Sequence, residues 1–307
     1  MKILEDNFNR KFEFCTYVTL GSFDGFHLGH LELINKTNEL SNKLGCKSMI
    51  FTFKNHPLSI INKSKTPKII LNDEEKIEIV NNTGIDILNL ANFNEDFMKM
   101  YPSEFIHKLV YHYNVKGLVV GFNYKFGYKN EGDIELLRIL SKKLNFKLTV
   151  IPPIKLGDDI ISSSRIRRLI SDGNIKEANL LLGRYFMLSG NVIEGKKIGR
   201  TIGFPTINLD YDDKYIIPAN GVYYTNTEIN NNFYKSITNI GFNPTVNGKN
   251  LSIETNVLDF NKEIYGEKVK IYFIERIRDE KKFDSIEQLS LQLRIDKELV
   301  KQKPFNF

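Results

Sequence analysis

The chain has 307 residues and a mass of 35.6 kDa, which makes two domains of about 150 residues each the expectation. Hydrophobic residues make up 41% and charged residues 26%, enough to build cores and inconsistent with a disordered chain. The net charge of +6, from 43 basic against 37 acidic residues, is spread along the chain as on a solvated surface, and two cysteines rule out both a disulfide framework and a four-ligand zinc site.

The first fourteen residues carry acidic side chains where a signal peptide would be apolar. No apolar run approaches the roughly 18 residues of a membrane span. These features imply a reduced, cytoplasmic, soluble protein. Strand and helix signals then alternate. Residues 15–21 form a short apolar run ending at Gly21. Residues 28–44 place Leu31, Leu33, Ile34, Leu40 and Leu44 at helical spacing. Strands follow at 47–53, 86–90, 116–121 and 146–153. Between them lie helices at 73–82, which starts with acidic residues as the helix dipole prefers, around 102–112, and at 133–144. Strands separated by helices of this length predict a parallel sheet with helices on both faces. The active site of such a sheet lies outside the carboxyl ends of its strands.

The pattern changes after a helical stretch at 174–184. Short strand runs at 185–195, 221–229, 234–241, 251–260 and 267–277, set close together, predict a barrel or sandwich. A helix at 285–302 closes the chain, with Ser285 as its N-cap. The domain boundary is placed at residue 183, giving domains 1–182 and 183–307.

One constellation falls where the first strand meets its helix, in Gly21-Ser22-Phe23-Asp24-Gly25-Phe26-His27-Leu28-Gly29-His30. Gly21, Gly25 and Gly29 let backbone approach a ligand closely. His27 and His30, three apart at a helix start, face one way. A helix N-terminus favours phosphate, and two imidazoles there can donate hydrogen bonds as charge builds on it. This decapeptide resembles the signature of the HxGH nucleotidyltransferases. Further segments resemble the bacterial FAD synthetase branch of that superfamily: Phe53 to Pro57, Gly121 to Gly127, and Ile161-Ser162-Ser163-Ser164-Arg165-Ile166-Arg167. Ser164 stands where the family usually has threonine and keeps the hydroxyl. On the residues alone, Asn123 and His56 read equally as turn residues, and the serine run as a plain helix cap. The resemblance implies a Rossmann-like fold, His27 and His30 as catalytic residues, and a nucleotide site at Gly21, Phe23, Asp24, Gly25, Gly29, Asn123, Ser163, Ser164 and Arg167.

A second constellation, residues 195–208, is rich in glycine and basic residues but lacks the P-loop pattern. Thr206 and Asn208 alternate on an extended segment, so both face one side. Their oxygens are hard donors suited to Mg²⁺. The segment resembles the G-R-x-x-G-F-P-T-x-N motif of riboflavin kinases, small β-barrels, and later segments around 218–223, 239–245 and 253–260 agree with it. The resemblance implies a phosphate site at Gly195, Lys196, Gly199, Gly203, Thr206 and Asn208, with Mg²⁺ on Thr206 and Asn208, and Glu254 as the catalytic base. At the junction, Leu182-Gly183-Arg184-Tyr185-Phe186 drops a proline common in the family.

Together the motifs imply an α/β Rossmann-like domain followed by a mostly-β barrel domain with a C-terminal helix. The implied function is a bifunctional riboflavin kinase and FAD synthetase: ATP phosphorylates riboflavin to FMN, and FMN is then adenylylated to FAD with release of pyrophosphate. The expected partners are these small molecules, with neither nucleic acid nor membrane, and a homo-oligomer is left open. Two other readings, a tRNA-charging HxGH enzyme and a flavin- or RNA-binding regulator without catalysis, leave the kinase motifs or the intact catalytic residues unexplained.

Overall fold

The computed structural model describes residues 1–195, 199, 203–245 and 248–305. Two compact units divide the chain, Met1–Ser163 and Ser164–Phe307.

The first unit contains strands β1 (Lys2–Leu4), β2 (Thr16–Leu20), β3 (Lys47–Phe53), β4 (Ile87–Ala91), β5 (Val115–Gly121) and β6 (Lys147–Ile151), and a short hairpin, β7 (Lys155–Leu156) and β8 (Asp159–Ile160). Its helices are α1 (Leu28–Leu44), α2 (Leu58–Ile61), α3 (Asp73–Asn81), α4 (Glu95–Lys99), α5 (Pro102–Tyr113) and α6 (Ile134–Leu144). The six long strands form one parallel sheet in the order β1-β4-β3-β2-β5-β6. From β2 the chain steps outward through β3 to β4, then returns to place β5 on the other side of β2. The strand order therefore reverses at β2, the position where such sheets open a ligand crevice at their carboxyl edge.

Alternate residues on the strands cover opposite faces. Val18, Leu20, Met49, Phe51, Leu118 and Val120 join one core with Phe105, Ile106 and Leu109 of α5 and Leu137 and Leu140 of α6. Tyr113 anchors the N-terminal segment to this core. Its hydroxyl donates to Asp6 Oδ2 at 2.6 Å and accepts the Phe8 N–H at 3.1 Å. Burial, aided by the Asp6 carboxylate, pushes its phenol well above the ordinary tyrosine range. On the opposite face the Tyr17 ring lies over Gly117, where any side chain would collide with it.

The expectation of a reduced cysteine pair needs correction, because the structure joins Cys15 to Cys46 in a disulfide. The reason is the sheet itself. Thr16 pairs with Lys47 in adjacent parallel strands, so the residues just before them come within a Cα separation of 4.9 Å. Counting cysteines excluded a framework of several bridges but said nothing about a single bond.

The second unit opens with helices α7 (Ser163–Ser171) and α8 (Ile175–Leu182). Strands β9 (Phe186–Ile193), β10 (Ile207–Asp210), β11 (Gly221–Ile229), β12 (Asn232–Thr245), β13 (Gly248–Val257) and β14 (Lys268–Arg278) follow, and helix α9 (Ile286–Gln302) completes it. The strands close into an antiparallel barrel in the order β10-β13-β12-β11-β14-β9. Its interior carries a ladder of buried hydroxyls, in which Thr225, Ser236, Thr238 and Thr255 bond one another at 2.8–2.9 Å. The division at Ser163 and Ser164 falls earlier than the boundary placed at 183, because α8 packs on the barrel. Asn179 Nδ2 donates to the Phe273 carbonyl at 2.9 Å, and Asn179 Oδ1 accepts the Phe186 N–H at 2.7 Å.

Candidate functional sites

In the first unit, β2 ends at Leu20 and the chain turns through residues 21–27 into α1. Phe23 and Phe26 hold φ angles of +46° and +39°, a region that bulky side chains avoid at a cost of about 1–3 kcal/mol each. Their complete burial and mutual stacking at 5.5 Å offset that strain. Asp24 holds the turn: its Oδ1 accepts the Ile70 N–H at 3.2 Å, and its carbonyl accepts the Ser163 hydroxyl at 2.8 Å. Ser163 is thereby tied to the histidine loop across 139 residues.

His27 is the N-cap of α1 and accepts the His30 N–H on Nδ1 at 3.3 Å. An acceptor Nδ1 in a neutral imidazole leaves the ring proton on Nε2. The His30 ring stacks on the His27 ring at 3.7 Å, and Phe23 backs His30 at 5.0 Å. Gly29 lies close under this stack: a β-carbon there would stand 3.2 Å from His27 Nδ1 and Cε1, so the ring would have to give way slightly. Gly21 likewise lies against the Phe23 ring, and Gly25 turns with φ +86° against Ile70.

Asn123, an expected site residue, and His56, a member of the 53–57 segment, follow the strands β5 and β3 at the same edge of the sheet. Asn123 follows β5 in a turn closed by Tyr124 N–H to the Gly121 carbonyl at 3.1 Å. His56 follows β3 and accepts the Leu58 N–H on Nδ1 at 3.1 Å. Asn55, not singled out from sequence, clamps the loops after β3 and β4 through paired bonds to the Phe93 backbone at 2.7 and 2.8 Å. Ser164 and Arg167 lie on α7 and are counted with the second unit.

In the barrel unit, the glycine-rich segment lies between β9 and β10 in sequence, and Gly195, Gly199 and Gly203 are among its described residues. Lys196 lies outside the described residues. Gly195 packs against the Asn208 amide, which fills the space a β-carbon would need. The Gly199 carbonyl accepts the Phe204 N–H at 2.8 Å, while Gly203 is exposed with φ +79°. Thr206 lines a cleft of about 50 Å³ with Phe260 and Tyr265. Asn256 Nδ2 fixes the segment by donating to the Pro205 carbonyl at 2.6 Å. Asn208 and Glu254 are direct partners on β10 and β13, and Asn239 of β12 is the partner of Glu254 on its other side. Opposed residues share a face, so these three form a polar row on the outer surface, half-buried, beside the closed interior. From sequence Asn239 is only the first residue of the segment 239–245, with no role of its own; the strand register is what places it beside Glu254.

A helix N-terminus carrying two stacked imidazoles, at the reversal point of a parallel sheet, is an α/β site of the nucleotide-binding class, and a closed β-barrel follows it along the chain. The sequence matches the FAD synthetase family over residues 10–165 and the riboflavin kinase family over residues 182–303. The bifunctional riboflavin kinase/FMN adenylyltransferase of Bacillus subtilis is 37% identical over 92% of this chain and 90% of its own. The protein of the same description from Listeria monocytogenes is 36% identical over the same shares. A crystal structure from Streptococcus pneumoniae, titled as a macrolide-efflux protein, superposes with a TM-score of 0.89 at 34% identity over 98% of this chain and 99% of that one. Among the described residues here, no helix is long and apolar enough to cross a membrane. The chain belongs to the bifunctional riboflavin kinase/FMN adenylyltransferase family. It is an enzyme of flavin cofactor synthesis, acting on riboflavin, FMN and ATP.

Proposed function

We propose that the two reactions are carried by two separate residue sets, His27 and His30 in the first unit and Glu254 in the barrel. In adenylylation, an FMN phosphate oxygen attacks the α-phosphorus of ATP, and the bond to the β-phosphate oxygen breaks to release pyrophosphate. The N-terminus of the 17-residue helix α1 and the Nε2 proton of His27 stabilise the negative charge that builds on the transferring phosphate. Gly21, Phe23, Asp24, Gly25 and Gly29 shape this pocket, and Asn123, Ser163, Ser164 and Arg167 bind ATP with it. The carrying observation is the cap-and-stack arrangement of His27 on His30, which holds both rings at the helix start.

In phosphorylation, Glu254 takes the proton of the riboflavin 5′-hydroxyl, whose oxygen then attacks the γ-phosphorus while ADP leaves. Gly195, Lys196, Gly199 and Gly203 line the phosphate path. Thr206 and Asn208 are the proposed Mg²⁺ ligands. Their donor set fits, because the Asn208 amide is held in a cradle that Gly195 leaves open. Among the described residues no group of three or more His, Cys, Asp or Glu is arranged for a metal, and Mg²⁺ bound to substrate phosphates needs only one or two protein oxygens. Such an ion neutralises phosphate charge when bound. We place the enzyme in the cytoplasm, where ATP is at hand, acting on small molecules without a nucleic-acid partner.

The test is to follow riboflavin, FMN and FAD by chromatography. His27→Ala with His30→Ala ends FAD formation by a factor of about 100 or more and leaves FMN formation intact. Glu254→Gln does the reverse when FMN is supplied. One lesion ending both activities in a folded protein overturns the two-site assignment.

A further inference from the structure

The polar row has two sides. Asn208 stands on one side of Glu254, with the glycine-rich loop beyond it, since Gly195 packs on the Asn208 amide. That side belongs to phosphate and metal in the assignment above. Asn239 stands on the other side, and directly opposed side chains start only about 5 Å apart at Cβ. Two residues further along β12, Gly241 has no side chain, and the Glu280 carboxylate occupies the place a β-carbon would take, with Asn239 Nδ2 3.2 Å from that same point. An amide donor and a carboxylate acceptor thus meet beside Glu254, away from the phosphate loop.

A base must touch the hydroxyl it deprotonates, and the phosphoryl donor occupies the Asn208 side. The acceptor chain therefore runs along the Asn239 side. Each hydroxyl both donates and accepts, so a chain of hydroxyls matches an amide set beside a carboxylate. We propose that Asn239 binds the secondary hydroxyls of the ribityl chain and selects flavins with a polyhydroxylated side chain, an inference that rests on Glu254 being the kinase base. A site built to hydrogen-bond a hydroxyl discriminates strongly against an analogue that lacks it, because its polar groups are then left unpaired.

The experiment measures phosphorylation of riboflavin and of 10-(5-hydroxypentyl)flavin, which keeps the ring and terminal hydroxyl but has no secondary hydroxyls. The wild-type chain prefers riboflavin by about tenfold or more in kcat/KM. Asn239→Leu, similar in shape but apolar, removes that preference by lowering kcat/KM for riboflavin alone, with the KM for ATP and the conversion of supplied FMN to FAD unchanged. Asn239→Ser, smaller but polar, retains part of the preference. If Leu keeps the preference, or if both flavins fall equally, the inference is overturned; if Leu does not fold, a partial or complete loss of preference in Ser supports it and full retention overturns it. Glu254→Gln, run in parallel, separates the failures. A near-normal Glu254→Gln rate removes the base assignment and this inference with it. A dead Glu254→Gln beside an Asn239→Leu that keeps the preference overturns this inference alone.

Discussion

Gly29 shows how tightly the histidine stack is built. A methyl group there presses on the His27 ring at 3.2 Å, closer than comfortable carbon contact, so the ring must yield by a few tenths of an ångström. The helix itself tolerates alanine better than glycine. Gly29→Ala is therefore expected to leave the thermal midpoint unchanged or slightly raised while FAD formation falls about tenfold or more through misplacement of the imidazole. Calorimetry and the flavin assay on one sample check both halves. The sequence made this glycine visible only as a member of a motif. What it does depends on the rotamer of His27, which no spacing rule contains. Asn55 is a comparable case, since its two bonds to Phe93 look like ordinary loop chemistry until β3 and β4 are set side by side.

Among elements, the C-terminal region of the barrel unit is held by charges that close on one strand. Glu275 of β14 is buried and ion-paired with Lys176 of α8 and Lys303 beyond α9. Arg278 makes a forked pair with Asp296 of α9 at 2.8–3.2 Å. Burial alone would raise the Glu275 carboxyl, but the two lysines outweigh it and hold the group below its ordinary value of 4.5. A depressed carboxyl contributes stability that is present above the unfolded value and lost as pH falls through the lower folded value. The barrel unit should therefore lose stability as pH drops below about 4.5, and Glu275→Gln should flatten that decline and cost about 1–3 kcal/mol at neutral pH. Denaturant titrations at several pH values test this. The elements themselves were largely readable. Helix α1 and strands β3 and β11 match the sequence reading residue for residue, because periodicity and flanking glycines mark them. Strand β1 was missed: three residues with one buried side chain give no alternation to detect, and its pairing with β4 is decided by the whole sheet. Strand β10 was read only as an extended segment, being short and placed between the glycine-rich loop and a polar turn.

On the scale of the molecule, the sequence carried the fold class and both reactions because the motifs at 21–30 and 195–208 are each contiguous and their residue types are chemically specific. The riboflavin kinase match starts at residue 182, beside the boundary placed at 183, while the contacts of α8 with β14 group residues 164–182 with the barrel. The sequence did not carry the Cys15–Cys46 bond. That bond joins the residue before β2 to the residue before β3, so the entire histidine loop lies inside a covalent ring closed between residues 31 apart in sequence. Closing a ring of this size removes freedom from the unfolded chain worth about 3–4 kcal/mol. The ring is confined to one of the two units. Its opening by a reductant, the normal state of cytoplasmic thiols, lowers the heat tolerance of FAD formation and leaves that of FMN formation untouched. Heating oxidised and reduced samples and assaying each product separately reads this directly; equal shifts in both activities would refute it. Under heat stress, the thiol state of the surroundings would thus set the ratio in which one chain delivers FMN and FAD.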